Sequence, residues 1–353
     1  MSILFAILLF SLLIFLHELG HFAAAKLSGV RVNEFSMFMG PAIWKKQKGE
    51  TLYSIRCIPI GGYCAMEGED GGSDDPRSFD RASWWKRLII LAAGSLMNFL
   101  TGLALLCIFF STEQQFILPV VTQIEDGCAI AGEYGIREGD RILEVDGERI
   151  YVYSDFQMIL ELNGGENHDL VLQRDGQRVE LKDFPMVKRE FPNADGSTSL
   201  RFGFSFSPVP ASFSETVKYV WNSAVDMVRM VRLSLKMLFS GQAGIRDVGG
   251  PVMIVQQMTE VANASSTTYY AVMNLIYFGA IIAINLAVMN LLPIPALDGG
   301  RIVCLLITTV VEAITRKKIN PKYEGYLHGA GMILLLILMA VIMFKDIFVL
   351  IKG

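Results

Sequence analysis

Four long apolar runs set out the chain, and the polar positions that interrupt them carry most of its information. The first is uncharged from Ile3 to Leu16, and the others extend near Leu88 to Phe110, Ala271 to Ala313 and Gly329 to Ile351. About 20 apolar residues cross a bilayer. The first run reaches that length only by continuing through a polar cluster to Leu27, and the third is too long for one crossing. Pro293 and Pro295 break it, which predicts an interrupted helix. Four crossings result.

Other periodicities lie between the runs. "TLYSIRCIPIGGYCAMEG" alternates apolar and polar positions around Gly61-Gly62 and predicts a β-hairpin over 51–66. It is apolar for a loop, so it reads either as a surface hairpin or as one re-entering the membrane edge, where an exposed strand edge would accept a substrate chain by strand addition. From 114 to 190, short β-rich runs flank glycine and aspartate turns, with a further hairpin at Asp175-Gly176, and predict a compact domain. Over 212–239, Phe213, Val217, Val220, Trp221, Ala224, Val228, Val231, Leu235 and Leu238 recur at helical spacing opposite Lys218, Arg229, Arg232 and Lys236. That pattern predicts an amphipathic helix lying on a membrane surface.

Composition supports a membrane protein: 52% of the 353 residues are hydrophobic and 19% charged, and the mean hydropathy is +0.42. The net charge of −4 and the lack of a long basic run exclude nucleic acid as the partner. Five cysteines, an odd number with two in apolar runs, predict thiols and no disulfide framework. No positive charge precedes the first apolar run, which argues for a membrane helix over a cleaved leader. Lysines and arginines gather between the first and second crossings, from Arg31 to Arg87, and at Arg316 to Lys322. By the positive-inside rule both loops are cytoplasmic and 111–270 lies outside.

Ionisable residues inside membrane helices are costly and by default functional. His17, Glu18 and His21 spell H-E-x-x-H, which on a helix puts both imidazoles one turn apart on one face, the pattern of zinc proteases. Two imidazoles do not complete a catalytic zinc site, which takes three protein ligands. His168 and His328 have no partner motif and read as bystanders. Asp298, in "NLLPIPALDGGRI", is the better third ligand, because the prolines break the helix and Gly299 and Gly300 allow close approach. The bland alternative pairs Asp298 with Arg301. A Zn2+ site of His17, His21 and Asp298, with Glu18 as an unligated proton acceptor, predicts peptide hydrolysis.

"FLHELGHFAAAKLSGV", "IPIGGYCAMEGE", "GSLMNFLTG", "GIREGDRILEVDGERI", "GGPVMIV" and "NLLPIPALDGGRI" together resemble the site-2 protease family of intramembrane zinc metalloproteases, in its regulator of sigma-E protease branch with a single PDZ domain. The resemblance implies a polytopic α-helical membrane protein of about four transmembrane helices, with a membrane-associated β-hairpin and an inserted extracytoplasmic PDZ (α+β) domain. The corresponding plan is a first membrane helix (1–27), a cytoplasmic loop (28–84) with the hairpin, a second helix (85–111), the PDZ domain (114–190) and a linker with the interfacial helix (191–265). An interrupted third helix (266–314), a cytoplasmic loop (315–327) and a fourth helix (328–351) follow. It also implies substrate contacts by Asn290 and by the hairpin at Gly61, Gly62 and Tyr63. The implied substrates are anti-sigma factors, other single-span regulators or signal-peptide remnants, met within lipid in a bacterial plasma membrane with the site toward the cytoplasm. Ser95 stands where the family commonly has proline after Gly94. The rival classes are a zinc transporter, which has no use for Glu18, and a non-catalytic PDZ scaffold, in which H-E-x-x-H would usually be lost.

Overall fold

The computed structural model describes residues 2–69, 72–126, 128, 130–132, 135–192, 197–242, 244, 249–317 and 322–352. It divides into two compact units, one made of Met1–Phe109 with Met227–Gly353 and the other of Phe110–Asp226.

The chain opens with helix α1 (Ser2–Leu27), strands β1 (Val32–Lys48) and β2 (Thr51–Met66), and helix α2 (Trp84–Phe110). A tight turn joins the two strands, where Lys48 faces Thr51 across Gly49-Glu50 and Gly49 takes φ +62°. The reversal predicted near Gly61-Gly62 lies between 55 and 62, but its arms do not pair with each other: 52–55 run parallel to 34–37 and 62–66 antiparallel to 32–37, so β1 lies between them. Gly61, at φ +79°, stands at the end of that reversal, and a Cβ there would lie 2.9 Å from Met39 Cε. Residues 32–37 pair with 66–62, and residues 34–37 also face 52–55, so the stretch 62–66 forms an edge with a strand on one side. Phe35, Cys64 and Met66 pack with Ala24, Ala25, Ile90 and Leu91 of the helices. Ser11 Oγ donates to the Pro59 carbonyl at 3.0 Å, a second tie between α1 and the sheet.

The second unit holds β3 (Gln115–Ile124), β4 (Arg141–Val145), β5 (Glu148–Arg149), α3 (Tyr153–Asn163), β6 (Asn167–Arg174), β7 (Gln177–Pro185), β8 (Arg189–Pro192), β9 (Thr198–Arg201) and β10 (Phe204–Pro210). The main sheet runs β10-β3-β4-β6-β7, with β5 on β4. The boundary predicted at 190 is therefore too short. β10 pairs with β3 from Phe204↔Ile124 to Pro210↔Gln115, and Phe204 joins the core with Val121, Ile142, Phe156 and Leu172. Polar, proline-containing sequence around 192–200 hid that strand.

Helix α4 (Phe213–Ser240) runs from the second unit into the first, which then continues with α5 (Pro251–Ala264), α6 (Thr268–Asn290), α7 (Asp298–Thr315) and α8 (Lys322–Lys352). The predicted linker 191–265 thus holds the end of β8, two whole strands and two helices, and the helix expected to begin at 328 is already formed at Lys322. Among the described residues four helices are long and apolar enough to cross a membrane: Phe5–Leu27, Trp84–Phe110, Thr268–Asn290 and Tyr323–Val349. The third apolar run is divided at 291–297, with α6 before the break and α7 after it.

Candidate metal centre

Helical spacing stacks His17 and His21 on one face of α1, and α2 supplies the surface they meet. A Cβ at Gly94 would lie 2.7 Å from Cε1 of both imidazoles, so the rings occupy the space that any other residue would fill. Gly20 performs the same service one turn away, where its missing side chain lets α1 approach the Ala93 carbonyl. Small residues permit such close crossings in membrane helices.

The carboxylate arrives from the broken run. Pro293 and Pro295 end α6, and Ala296 adopts φ +80°, a costly conformation for a residue with a Cβ. His328 of α8 holds it there, its Nδ1 accepting from the Ala296 N–H at 2.9 Å. Sequence reasoning set His328 aside because its partner is a backbone group, which no motif announces. Gly299 and Gly300 pack on the Leu291, Leu292 and Ile294 carbonyls with no room for a side chain, so α7 starts tight against the break and Asp298 stands at its first turn. Arg301 pairs with Glu69, not with Asp298. That removes the bland alternative.

Three donor atoms converge. His17 Nε2 and His21 Nε2 are 3.2 Å apart, and Asp298 Oδ2 lies 3.2 Å from the first and 3.3 Å from the second. Zinc bonds of 2.0–2.1 Å in tetrahedral array separate donors by about 3.3 Å. Asp298 Oδ2 also has no hydrogen-bond partner although it is enclosed, and its side chain is 18% exposed. An anionic oxygen in that position is costly unless a cation meets it. The donor set fits zinc in number, type and spacing. Among the described residues this is the one cluster of three such ligands.

The far nitrogens of the imidazoles are tied. His21 Nδ1–H donates to the Ile90 carbonyl at 2.8 Å, which leaves Nε2 with its lone pair toward Asp298. His17 Nδ1 has the carboxamide of Asn98 at 3.3 Å and that of Asn290 at 3.5 Å. Asn98 is buried with its Oδ1 unpartnered. Exchanging the two ends of this amide turns Oδ1 to accept from His17 Nδ1–H. In the sequence Asn98 stood out only as part of the "GSLMNFLTG" resemblance, with no partner assigned to it.

The remaining predicted residues divide. Glu18 borders β2: a methyl group at Gly62 would sit 3.6 Å from Glu18 Cγ and 3.0 Å from the Ser36 carbonyl. Asn290 ends α6 beside His17. Gly61 packs on Met39, and Tyr63 lies under the Arg56 guanidinium at 5.2 Å. Gly62 and Asn290 therefore adjoin the centre, while Gly61 and the Tyr63 side chain serve the sheet.

The profile of peptidase family M50 matches residues 5–338. A Clostridium acetobutylicum chain bearing a zinc-metalloprotease name is 38% identical over 346 residues, covering 98% of this chain and 97% of its own. A Fusobacterium nucleatum chain with a like name is 33% identical over 351 residues, covering 98% of each. The regulator of sigma-W protease RasP of Bacillus subtilis is 28% identical over 429 residues, covering 97% of each. Donor geometry and sequence kinship agree: the chain belongs to peptidase family M50 and is a zinc metalloprotease of the site-2 type.

Proposed function

We propose that the enzyme hydrolyses peptide bonds inside the membrane segments of other proteins, with Glu18 as the proton carrier and His17, His21 and Asp298 as the zinc ligands. The observation that carries this reading is the depth of the centre: His17 follows 14 uncharged residues of α1, about 20 Å of helix. Zinc, when bound, supplies Lewis acidity to the scissile carbonyl and an acidified water to attack it. Glu18 takes the proton and passes it to the leaving amine. A helical substrate has its amides satisfied internally and must unwind before attack. The edge 62–66 offers unwound backbone a strand to pair with, and Gly62, lacking a side chain, lets it pass close to Glu18.

Basic residues flanking α1 and α2 favour a cytoplasmic position for the sheet and for 316–322, in a bacterial plasma membrane. The unit Phe110–Asp226 then lies outside as a PDZ-type domain that excludes substrates with bulky outer portions. Single-span regulators such as anti-sigma factors, and signal-peptide remnants, fit those limits. Glu18→Gln with a single-span model substrate provides the test. Cleavage should fall by more than about a thousandfold with one zinc per chain retained, and mass mapping of the native product should locate the cut within the membrane segment. Retained turnover would remove Glu18 from its role, and a cut outside the segment would refute the depth argument.

A further inference from the structure

Asp346 is an ionisable residue in the most thinly covered of the four candidate spans: 6% of the α8 window is buried, against 33% for each of the others. Yet its own side chain is 1% exposed. A carboxylate in an apolar helix demands partners, and Asp346 finds them on the start of α5. Oδ2 accepts from the Gly250 N–H at 3.0 Å and from the Met253 N–H at 3.3 Å, and Lys345 Nζ stands 3.1 Å from Oδ1.

Helix α5 needs such a partner. Its N-cap residue is Gly250, which brings no side chain to accept from the first turn, and Pro251 follows with no N–H to offer. The carboxylate of a different helix does what a serine or aspartate at the cap would do locally. Its charge also faces the positive end of the helix dipole. Gly250 is small for the same reason: a Cβ there would lie 2.6 Å from Asp346 Oδ2 and 2.6 Å from Ile342 Cγ2. The second glycine of "GGPVMIV" is thus the imprint of the α8 carboxylate.

What the cap holds is close to the chemistry. Ile254, one turn into α5, packs with Leu13, Ile282 and Ala283. Leu13 lies one turn before His17 on α1, and Ile282 and Ala283 lie on α6, which ends at Asn290. Seated by its cap, α5 braces the helix that carries the zinc ligands against the helix that brings Asn290 to His17.

We propose that Asp346 is a positioning residue for the protease: by capping α5 from the fourth span, it fixes the packing of α1 on α6 at the metal centre. The proposal goes beyond the function above, and its first readout needs no substrate.

Full-length enzyme in lipid nanodiscs is compared as native, Asp346→Leu, Asp346→Asn and Gly250→Ala, by amide exchange across 249–258, by zinc content and by cleavage of a single-span fluorescent model substrate. Loss of the acceptor in Asp346→Leu, and its displacement in Gly250→Ala, should speed exchange there by about five- to thirtyfold, the range that loss of a cap produces. Both should slow cleavage in proportion with one zinc per chain retained. Asp346→Asn keeps an acceptor oxygen and should remain within about threefold of native in both readouts. Unchanged exchange in Asp346→Leu would overturn the cap. An Asn variant as impaired as the Leu variant would show that an acceptor oxygen at this position does not sustain the helix start, and would also overturn it. Faster exchange with unchanged cleavage would overturn the positioning role. A native chain inactive on this substrate, with exchange behaving as stated, would count against the function proposed above and leave the cap standing.

Discussion

The two compact units enclose opposite kinds of residue. In Phe110–Asp226 the core is Val121, Ile142, Val145, Phe156, Leu170, Leu172 and their apolar neighbours. In the other unit the helices turn Leu8, Leu12, Ile89, Leu96 and Leu100 outward and enclose Ser11, His21, Ser95, Asn98 and Asp346. Water drives the first arrangement. In lipid no hydrophobic gain separates the two faces of a helix, so polar groups and small residues determine which face turns inward. A polar side chain inside the membrane unit is therefore a pointer to chemistry or to positioning. The same residue type inside the second unit completes a turn: Asp140 is fully buried, but it pairs with Arg174 at 2.7 Å and accepts from the Arg137 N–H.

The hardest test of that contrast removes an enclosed polar residue from the membrane unit. Asp298→Ala and His21→Ala should each lose stoichiometric zinc and all measurable cleavage, because two ligands hold the ion poorly. Zinc analysis of protein purified without added metal checks this, and one zinc per chain in Asp298→Ala would take that residue out of the centre. A smaller effect should follow from Asn98. Asn98→Leu removes the acceptor for His17 Nδ1–H and should weaken zinc roughly 10- to 100-fold in competition with a chelator, the usual range for an outer partner of a metal-bound histidine. Asn98→Asp, which keeps an acceptor oxygen, should retain the metal. Equal loss in both variants would contradict the tautomer argument.

Legibility in the sequence follows the same division. Wherever the informative residue is itself an oddity, such as a histidine, glutamate or aspartate in an apolar run, a single chain points to it: spacing and helix breakers singled out His17, His21 and Asp298, which the fold brings within reach of one metal ion. Groups that act through the backbone left no trace. The Ile90 carbonyl, the Ala296 N–H held by His328 and the Gly250 N–H held by Asp346 depend on which helices touch. Asn98 is an ordinary residue until His17 is placed beside it. The hairpin was legible only in part for a related reason: composition marked the reversal that ends at Gly61-Gly62, but not the strand 32–37 that lies between its arms, nor the close approach of those glycines to Met39 and Glu18. β10 was missed because its partner, β3, lies about 80 residues back along the chain, and pairing at that range has no local signature.

Within the second unit, perturbing a buried charge should change stability and spare the metal. Asp140→Ala leaves Arg174, 14% exposed, without its partner, and removal of one member of a buried pair costs about 3–5 kcal/mol. The loss should appear as faster amide exchange in β4 and β6 of the full-length chain, with zinc content unchanged. If zinc were lost together with that protection, the two units would not be energetically separate.

The smallest effect expected is pH-dependent and belongs to Asp146. Burial by itself would raise this carboxyl, but hydrogen bonds from His168 Nδ1 at 2.7 Å, the Asp169 N–H at 2.8 Å and Asn163 Nδ2 at 2.9 Å outweigh it and hold the group below the usual aspartate range. A carboxyl depressed in the folded state gives its full contribution above its ordinary value, about 3.9, and loses it as pH falls further. The Asp146 side chain is 25% exposed, so screening limits that contribution to about 1 kcal/mol. Asp146→Asn should therefore lower the melting temperature of this unit by about 4–8 °C at pH 7. The deficit should shrink toward zero near pH 3, where the native carboxyl also begins to protonate. Proteolytic melts of the full-length chain, read from peptides of 141–185, measure both. A deficit that persisted undiminished at pH 3 would mean that Asp146 serves this unit through its shape and hydrogen bonds, with no part played by its charge.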